Sequence, residues 1–520
     1  MNGAEQLLET LVANGVEVCF SNPGTSEMQL VSAIGNKDGM RAILCLFEGV
    51  VSGAADGYGR MADKPAITLL HVGSGFSNSM ANLHNARRAH TPVVNIVGDH
   101  ATYHLQYDAP LTSDVPAHAA ICSQWVKVSE SADDLAESGA QAVQESMSGS
   151  GKIATLIAPA NHAWEEASQS AASLPIQSPA ATTESALEEA VAALSNGKTT
   201  ALLMGGKALR EDSLDVAGRI SRASGARVLT ETFTARLQRG AGRFKPERLQ
   251  YFSEHVSQQL AGLEQIILVG AQAPVSFFAY PGMESWLVPD GCEVYELATV
   301  DQDILPALLD VADRLDAGSE AEATPLELPS QPPEGPLTPV AIGQTLTMLM
   351  PEDSIVSDEA ATCGLGIFPA TEHARRHDWL MLTGGAIGQG LPLSLGASVA
   401  CPDQKVIALQ ADGSAMYTVQ ALWSMARENT DVTVVILNNR SYAILNIELA
   451  RVGAGNPTPK TLSMLDLSRP DIDWVALAEG LGVPASRATS AEEFHQQFAD
   501  AMEGQGPCLI EAMVEQQMPG

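Results

Sequence analysis

The chain has 520 residues, 45% of them apolar, with 44 Gly, 29 Pro and a formal net charge of −33. Its length exceeds what one hydrophobic core serves and requires about two to four domains. The charge excludes a nucleic-acid-binding surface and disfavours anionic membranes, since both need clustered Lys and Arg; an anionic ligand must be held by a metal, a helix N-terminus or backbone N–H groups.

AEQLLETLVANG (4–15) has apolar residues at helical spacing and stops at Gly15. VEVCF (16–20) reads as a buried strand, and SNPGTSE (21–27) as the loop after it, with Ser26 inside. Glu48 sits at a further strand end, before a helix rich in small residues (Gly49, Gly53, Ala54, Ala55, Gly57). PAITLLHVG (65–73), which carries His71, and TPVVNIVGD (91–99) are strands closed by Gly. HATYHLQYDAPLTSD (100–114), with His100, Tyr103, His104 and Tyr107, reads as a polar surface loop.

SLPIQSPAATTES (173–185) and the Pro-, Glu- and Ser-rich stretch 315–339 have linker composition. They divide the chain into domains 1–172, 183–315 and 339–520, with a linker over 316–338. Strands are expected at TTALLMGG (199–206), ARVLTET (226–232) and EQIILVGA (264–271), then at DSIVSDE (353–359), KVIALQADG (405–413) and VTVVILNN (432–439). Strands alternating with helices imply an α/β fold of three consecutive Rossmann-like parallel-sheet domains. The seven cysteines form no C-x-x-C pair, the N-terminus has no signal-peptide pattern, and no apolar run reaches membrane-spanning length. These features lead to the expectation of a reduced, cytoplasmic chain.

The third domain carries the sharpest signal. Asp412 ends an apolar strand, Gly413 lets the chain turn, and Ser414 opens a helix whose free N–H groups favour an anion. Asn439 ends the next strand, 27 positions later. A carboxylate and an amide oxygen at adjacent strand ends suit a hard cation such as Mg²⁺ shared with a diphosphate, although Asp, Gly and Asn are also ordinary turn residues.

Asp-Gly-Ser followed by Asn-Asn resembles the thiamine-diphosphate motif, with Ala411 where family members usually have Gly. The resemblance implies that Asp412, the Asn439 side chain and the Ser441 carbonyl bind Mg²⁺. It implies that Gly413, Ser414 and Tyr442 lie at the diphosphate. In CLFEGVVSGAADGYGRMADKPA, Glu48 matches the glutamate that hydrogen-bonds the aminopyrimidine ring and promotes its proton exchange. In GGAIGQGLPLSLGASVA, Ile387 matches the apolar wedge between the cofactor's rings, and the Gly385 carbonyl would accept from the amino group. These motifs lie in the first and third domains. In the family the cofactor sits between those domains of two chains, so the resemblance implies a homodimer at minimum and a homotetramer in the larger assembly.

SNPGTSE, LLHVGSG, ADGSAMYTVQALWSMA and NNRSYAILN resemble the benzoylformate decarboxylase / acetohydroxyacid synthase family, closest to its decarboxylase branch. By that resemblance Ser26 contacts the carboxylate of a 2-oxo acid and His71 moves protons. The expected activity is decarboxylation of a 2-oxo acid, with carboligation a further outcome. One departure stands out: the decarboxylase branch draws a second histidine from its middle domain, and GAQAPVSFFAYPGMESWL offers Phe277, Phe278 and Tyr280 instead. Phe277, Phe278, Trp286 and Leu445 suit an apolar pocket or plain core packing. The alternatives are an acetohydroxyacid synthase, a 2-hydroxyacyl-CoA lyase and a non-catalytic thiamine-diphosphate-binding protein. The Arg-Phe-Asp-type FAD segment of the synthases is not found, so no FAD is expected. The acidic end CLIEAMVEQQMPG disfavours CoA, and no strand is followed by G-x-G-x-x-G, which disfavours a dehydrogenase.

Overall fold

The structure, a computed structural model, describes residues 1–515. Helix α1 (Gly3–Ala13) begins with a capping box in which Asn2 and Glu5 satisfy each other's backbone N–H groups. The chain turns away through Gly15 at φ +82°.

The first sheet comprises β1 (Val18–Asn22), β2 (Arg41–Leu44), β3 (Ala66–His71), β4 (Val93–Asp99), β5 (Trp125–Val128) and β6 (Ile153–Pro159), in the order β2-β1-β3-β4-β6-β5. β1 starts two residues later than the apolar run suggests. Val18–Ser21 pair with Arg41–Leu44, while Cys19–Asn22 pair with Ile67–Leu70, so Val16 and Glu17 fall outside the ladder. The second sheet comprises β7 (Thr200–Met204), β8 (Arg227–Thr230), β10 (Glu247–Arg248), β11 (Gln265–Val269) and β12 (Glu293–Ala298), in the order β10-β8-β7-β11-β12. The third comprises β13 (Ser354–Glu359), β14 (His377–Met381), β15 (Val406–Ala411), β16 (Val432–Asn438), β17 (Ala485–Ala488) and β18 (Cys508–Met513), with β9 (Leu237–Arg239) at its edge. β9 belongs by sequence to the middle segment, yet it pairs antiparallel with β14. The other pairings are parallel. Strands covered on both faces read as unbroken apolar runs, and β4, β6 and β16 are buried at every position.

The winding of the sheets reverses between β1 and β3, between β7 and β11, and between β13 and β15. Ligands in open α/β sheets bind in the crevice at the carboxyl ends of such strands.

The first and third layers meet where helix α2 (Glu48–Ala62) crosses helix α4 (Gly390–Ala400). A Cβ on Gly57 would stand 2.0 Å from the Leu393 carbonyl oxygen, and one on Gly396 would stand 1.9 Å from that of Ala54. The small-residue pattern therefore lets two backbones touch. Beside the crossing, Arg60 forms a buried pair with Asp56 at 2.8 Å. Its remaining N–H groups reach Ala235 O at 3.1 Å, Met381 O at 2.8 Å and Thr383 Oγ1 at 3.1 Å. Thr91 and Gln389 complete the shell around Asp56. A buried pair satisfied this fully specifies an arrangement rather than merely adding stability. All seven cysteines are free, and burial raises the thiols of Cys19, Cys45, Cys122 and Cys363. No helix among the described residues is long and apolar enough to cross a membrane.

Gly57→Ala is expected to destabilise by about 1–3 kcal/mol, because the added methyl meets main chain that cannot move aside. Gly35→Ala, in a helix where nothing lies within 4 Å of the new Cβ, is expected to leave Tm unchanged or raise it slightly. Thermal unfolding of the two variants checks the contrast; equal Tm values would contradict the tight crossing.

Candidate active site

At the switch point of the first sheet, the loop after β1 enters a 3₁₀ turn over Thr25–Glu27. Glu27 is fully buried. It accepts from Gly24 N at 2.6 Å and from the Ser26 hydroxyl. His71, at the end of β3, places Nδ1 2.9 Å from Glu27 Oε2 and 3.1 Å from Ser26 Oγ. An imidazole whose Nδ1 faces a carboxylate presents Nε2 to whatever enters the crevice. Two glycines make room: a Cβ on Gly24 would strike the His71 ring at 2.3 Å, and one on Gly98 would strike Glu27 Oε1 at 1.9 Å. Val72, directly after His71, has φ +44°, a strained conformation for a β-branched residue of the kind that collects at functional sites.

Glu48 opens α2 and is buried. Its Oε2 accepts from Asn78 Nδ2 at 3.0 Å. Gly75 lies between the two groups, since its Cβ would be 3.1 Å from Glu48 Oε1 and 3.4 Å from His71 Cβ. Ser26, His71 and Glu48 are thus gathered in one crevice from the ends of three strands. Sequence reasoning missed Glu27, whose signal was present in the capping spacing of Gly24 to Glu27. It also missed His118, whose Nδ1 lies 2.7 Å from Ser77 Oγ on helix α3 (Val72–Arg88). In the 100–114 loop, Tyr103, His104 and Tyr107 are exposed, and the His104 ring contacts those of His100 and Tyr107.

The second group lies at the switch point of the third sheet. Asp412 opens the short helix α5 (Asp412–Ala415) and is buried. It accepts from Gly413 N at 2.8 Å and Arg440 N at 2.7 Å. Burial pushes its carboxyl up to about 6; only backbone donors face it, so a cation would supply the missing counter-charge. The two asparagines have separate tasks. Asn438 is buried and donates to Glu511 Oε1 at 2.7 Å. Asn439 is half-buried and its Oδ1 accepts from Ser441 N at 3.0 Å, closing a turn through Arg440 at φ +58°. The Tyr442 ring covers Gly413, where a Cβ would sit 2.4 Å from Tyr442 Cε1. Ser414 Oγ accepts from Gln410 Nε2 and donates to Ala411 O at 3.1 Å. No cluster of three or more His, Cys, Asp or Glu side chains forms a metal site among the described residues. One carboxylate, one amide and one carbonyl make a different kind of donor set, one that suits a hard cation carrying its remaining oxygens from a ligand.

Gly385 (φ +74°) and the half-buried Ile387 precede α4. Asn85 holds this segment through Ala386 N at 3.1 Å and Ala386 O at 2.7 Å. Asn82 reaches both Gly49 O at 2.8 Å and Gly388 O at 3.4 Å. Phe277 lies against Gly385 and belongs to an aromatic cluster with Phe233, Tyr251 and Phe278. Leu445 lies elsewhere in sequence, on helix α6 (Ala443–Arg451), which begins after Tyr442. That helix is tied to the middle segment by Arg451, which pairs with Glu254 and stacks 4.3 Å over Phe252.

Residues 1–120 match the model of the thiamine pyrophosphate enzyme N-terminal TPP binding domain, and residues 366–512 match that of the C-terminal TPP binding domain. The chain is 51% identical, over 99% of both chains, to a Mycobacterium tuberculosis protein named "Putative acetolactate synthase large subunit IlvX". It is 28% identical to a benzoylformate decarboxylase of Pseudomonas aeruginosa over 97% of both chains. It superposes with a TM-score of 0.88 on the Rhodococcus jostii RHA1 thiamine diphosphate-dependent 4-hydroxybenzoylformate decarboxylase, at 25% identity, covering 99% of this chain and 100% of that one.

The asparagine pair yields a split prediction. Asn438→Ala strands the buried Glu511 partner and is expected to destabilise by about 1–3 kcal/mol. Asn439→Ala is expected to leave Tm near that of the parent while weakening divalent-cation binding about ten-fold or more. Thermal melts and Mn²⁺ titration followed by electron paramagnetic resonance check both halves; a cation defect confined to Asn438→Ala would reverse the assignment.

Proposed function

This chain belongs to the thiamine pyrophosphate enzyme family, and on that footing we propose that it is a thiamine-diphosphate- and Mg²⁺-dependent 2-oxo acid decarboxylase. Asp412, the Asn439 side chain and the Ser441 carbonyl would hold Mg²⁺, and the backbone at Gly413 and Ser414, covered by Tyr442, would hold the diphosphate. The uncompensated burial of Asp412 supports that fit. Gly385 and Ile387 would face the rings. When bound, the cofactor supplies a carbon nucleophile and a sink for the electron pair left by departing carbon dioxide.

The rest falls to this chain's own side chains. Glu48 has one oxygen occupied by Asn78, and its other oxygen would exchange a proton with a ring nitrogen. Ser26 would orient the substrate carboxylate at the crevice between β1 and β3. His71 would carry a proton on Nε2 to the product carbon, its ring held by Glu27. The observation that carries this reading is the Ser26–Glu27–His71 cluster at the same switch point as Glu48. Release of an aldehyde requires proton delivery, and a bound imidazole serves that need. A carboligation product would form if a second carbonyl compound arrived before the proton. The functional form would be a homodimer at minimum, with a homotetramer expected, because the first and third segments of two chains would complete each cofactor site. Scattering mass at two or four times the 54.6 kDa chain checks this.

The 51% identity to an acetolactate synthase-like relative favours a second reading, a synthase-type transferase.

An assay with thiamine diphosphate and Mg²⁺, without FAD, against a panel of 2-oxo acids separates the two. Aldehyde and carbon dioxide from bulky acids support decarboxylation; acetolactate from pyruvate transfers the chain to the synthase reading. Glu48→Gln is expected to bind cofactor while losing turnover by about 10²-fold or more, and near-normal turnover would remove its role. Asp412→Ala is expected to abolish Mg²⁺-dependent cofactor retention; retention through gel filtration in chelator would contradict the metal site.

A further inference from the structure

Glu359 ends β13 and stands opposite Gln410 in the parallel register with β15. It therefore sits at the switch point of the third sheet, beside the Asp412 turn but outside every motif read from the sequence. Its side chain is fully enclosed, at 4% exposure. A carboxylate withdrawn from water costs several kcal/mol unless its oxygens are bonded. Here both are used on main chain: Oε1 accepts from Gly388 N at 2.6 Å and Oε2 from Gly390 N at 2.6 Å.

The peptide so held is built around that carboxyl. Gly388 has φ +96°, and a Cβ on Gly390 would fall 2.2 Å from Gln410 Oε1 and 3.0 Å from Glu359 Cβ. Thr418 fixes the other side of the turn by donating to Gly388 O at 2.7 Å. On the far side of Glu359, the neighbouring Gln410 donates to Ser414 Oγ. One buried group thus spans two segments distant in sequence: Gly385–Gly390 and Asp412–Ser414.

We propose that Glu359 is a positioning residue that sets the spacing between the segment facing the cofactor's rings and the turn holding its diphosphate. This rests on the reading that those two segments hold thiamine diphosphate. A turn needing only stability is served by one neutral acceptor. A bidentate carboxylate locks two N–H groups two residues apart, which is the precision a ligand held at both ends demands.

The test uses the full chain with saturating Mg²⁺. Glu359→Gln keeps the shape but turns an amide N–H toward one of the two backbone donors. Its apparent Kd for thiamine diphosphate, from tryptophan fluorescence, is expected to rise about 10- to 100-fold. At full saturation the near-ultraviolet circular dichroism of the bound aminopyrimidine is expected to change, and kcat to fall, whereas a merely structural residue would lower Tm and leave that signature intact. Wild-type affinity with a wild-type dichroic band in a folded Glu359→Gln chain would overturn the inference. If that variant does not fold, Gln410→Met removes the Gln410 side-chain bonds to Ser414 and to the Glu359 carboxyl and leaves both backbone bonds. It is expected to weaken cofactor binding about three-fold or more and to alter the same band; no change in either would overturn the inference as well. A wild-type chain that binds no cofactor sinks the cofactor reading and this inference with it, whereas binding by wild type and variant alike sinks this inference alone.

Discussion

The contact on which the rest depends is the crossing of α2 over α4, where Gly57 and Gly396 bring main chain against main chain. α2 begins at Glu48, and the residues just before α4 are Gly385, Ile387 and Gly388. Fixing the two helices at backbone contact therefore fixes the starting points of both. Asn82 repeats the constraint by bridging Gly49 O and Gly388 O, and Asp56 with Arg60 repeats it at the other end of α2. Close packing transmits position with little slack. Functional segments carried by distant parts of a chain need that kind of rigidity, because a displacement of about 1 Å at a reacting group is expensive.

The second organising constraint is topological. The three sheets reverse winding at β1/β3, β7/β11 and β13/β15. Carboxyl-end residues at the first and third of these points are the ones with chemical potential: Ser26, Glu27 and His71 in one, Glu359 and Asp412 in the other. Their environments differ. Glu27 holds a hydroxyl and an imidazole, Glu359 holds two backbone N–H groups, and Asp412 meets backbone donors with its charge uncompensated. The same functional group thus serves three purposes, decided by what surrounds it.

The distribution of charge has a related logic. With 62 acidic residues against 29 basic ones, arginines are spent where they tie layers together. Arg60, Arg239 and Arg243 are buried. Arg239 lies 3.8 Å over Phe368, and burial lowers its guanidinium to about 9, with nearby Arg248 adding to the effect. Arg243 donates to the carbonyls of Arg239 and His377, joining the chain near β9 to β14. The acidity of the chain belongs largely to its surface.

By itself the sequence determined the local parts. Periodicity and turn residues located three strands of each sheet, and the Asp-Gly-Ser and Asn-Asn segments and Glu48 marked a cofactor through resemblance. Each of these signals lies within a few residues of chain, where hydrogen-bonding pattern and backbone preference act directly. What only the tertiary structure decided is which of two adjacent asparagines faces inward, that three residues around Gln238 leave the middle sheet for the third, and that Glu27 and Glu359 are enclosed. A lone glutamate after a turn or a strand looks the same in sequence whether it meets water or a buried imidazole. Its surroundings come from residues 44 and about 30 positions away, and no local preference carries that information.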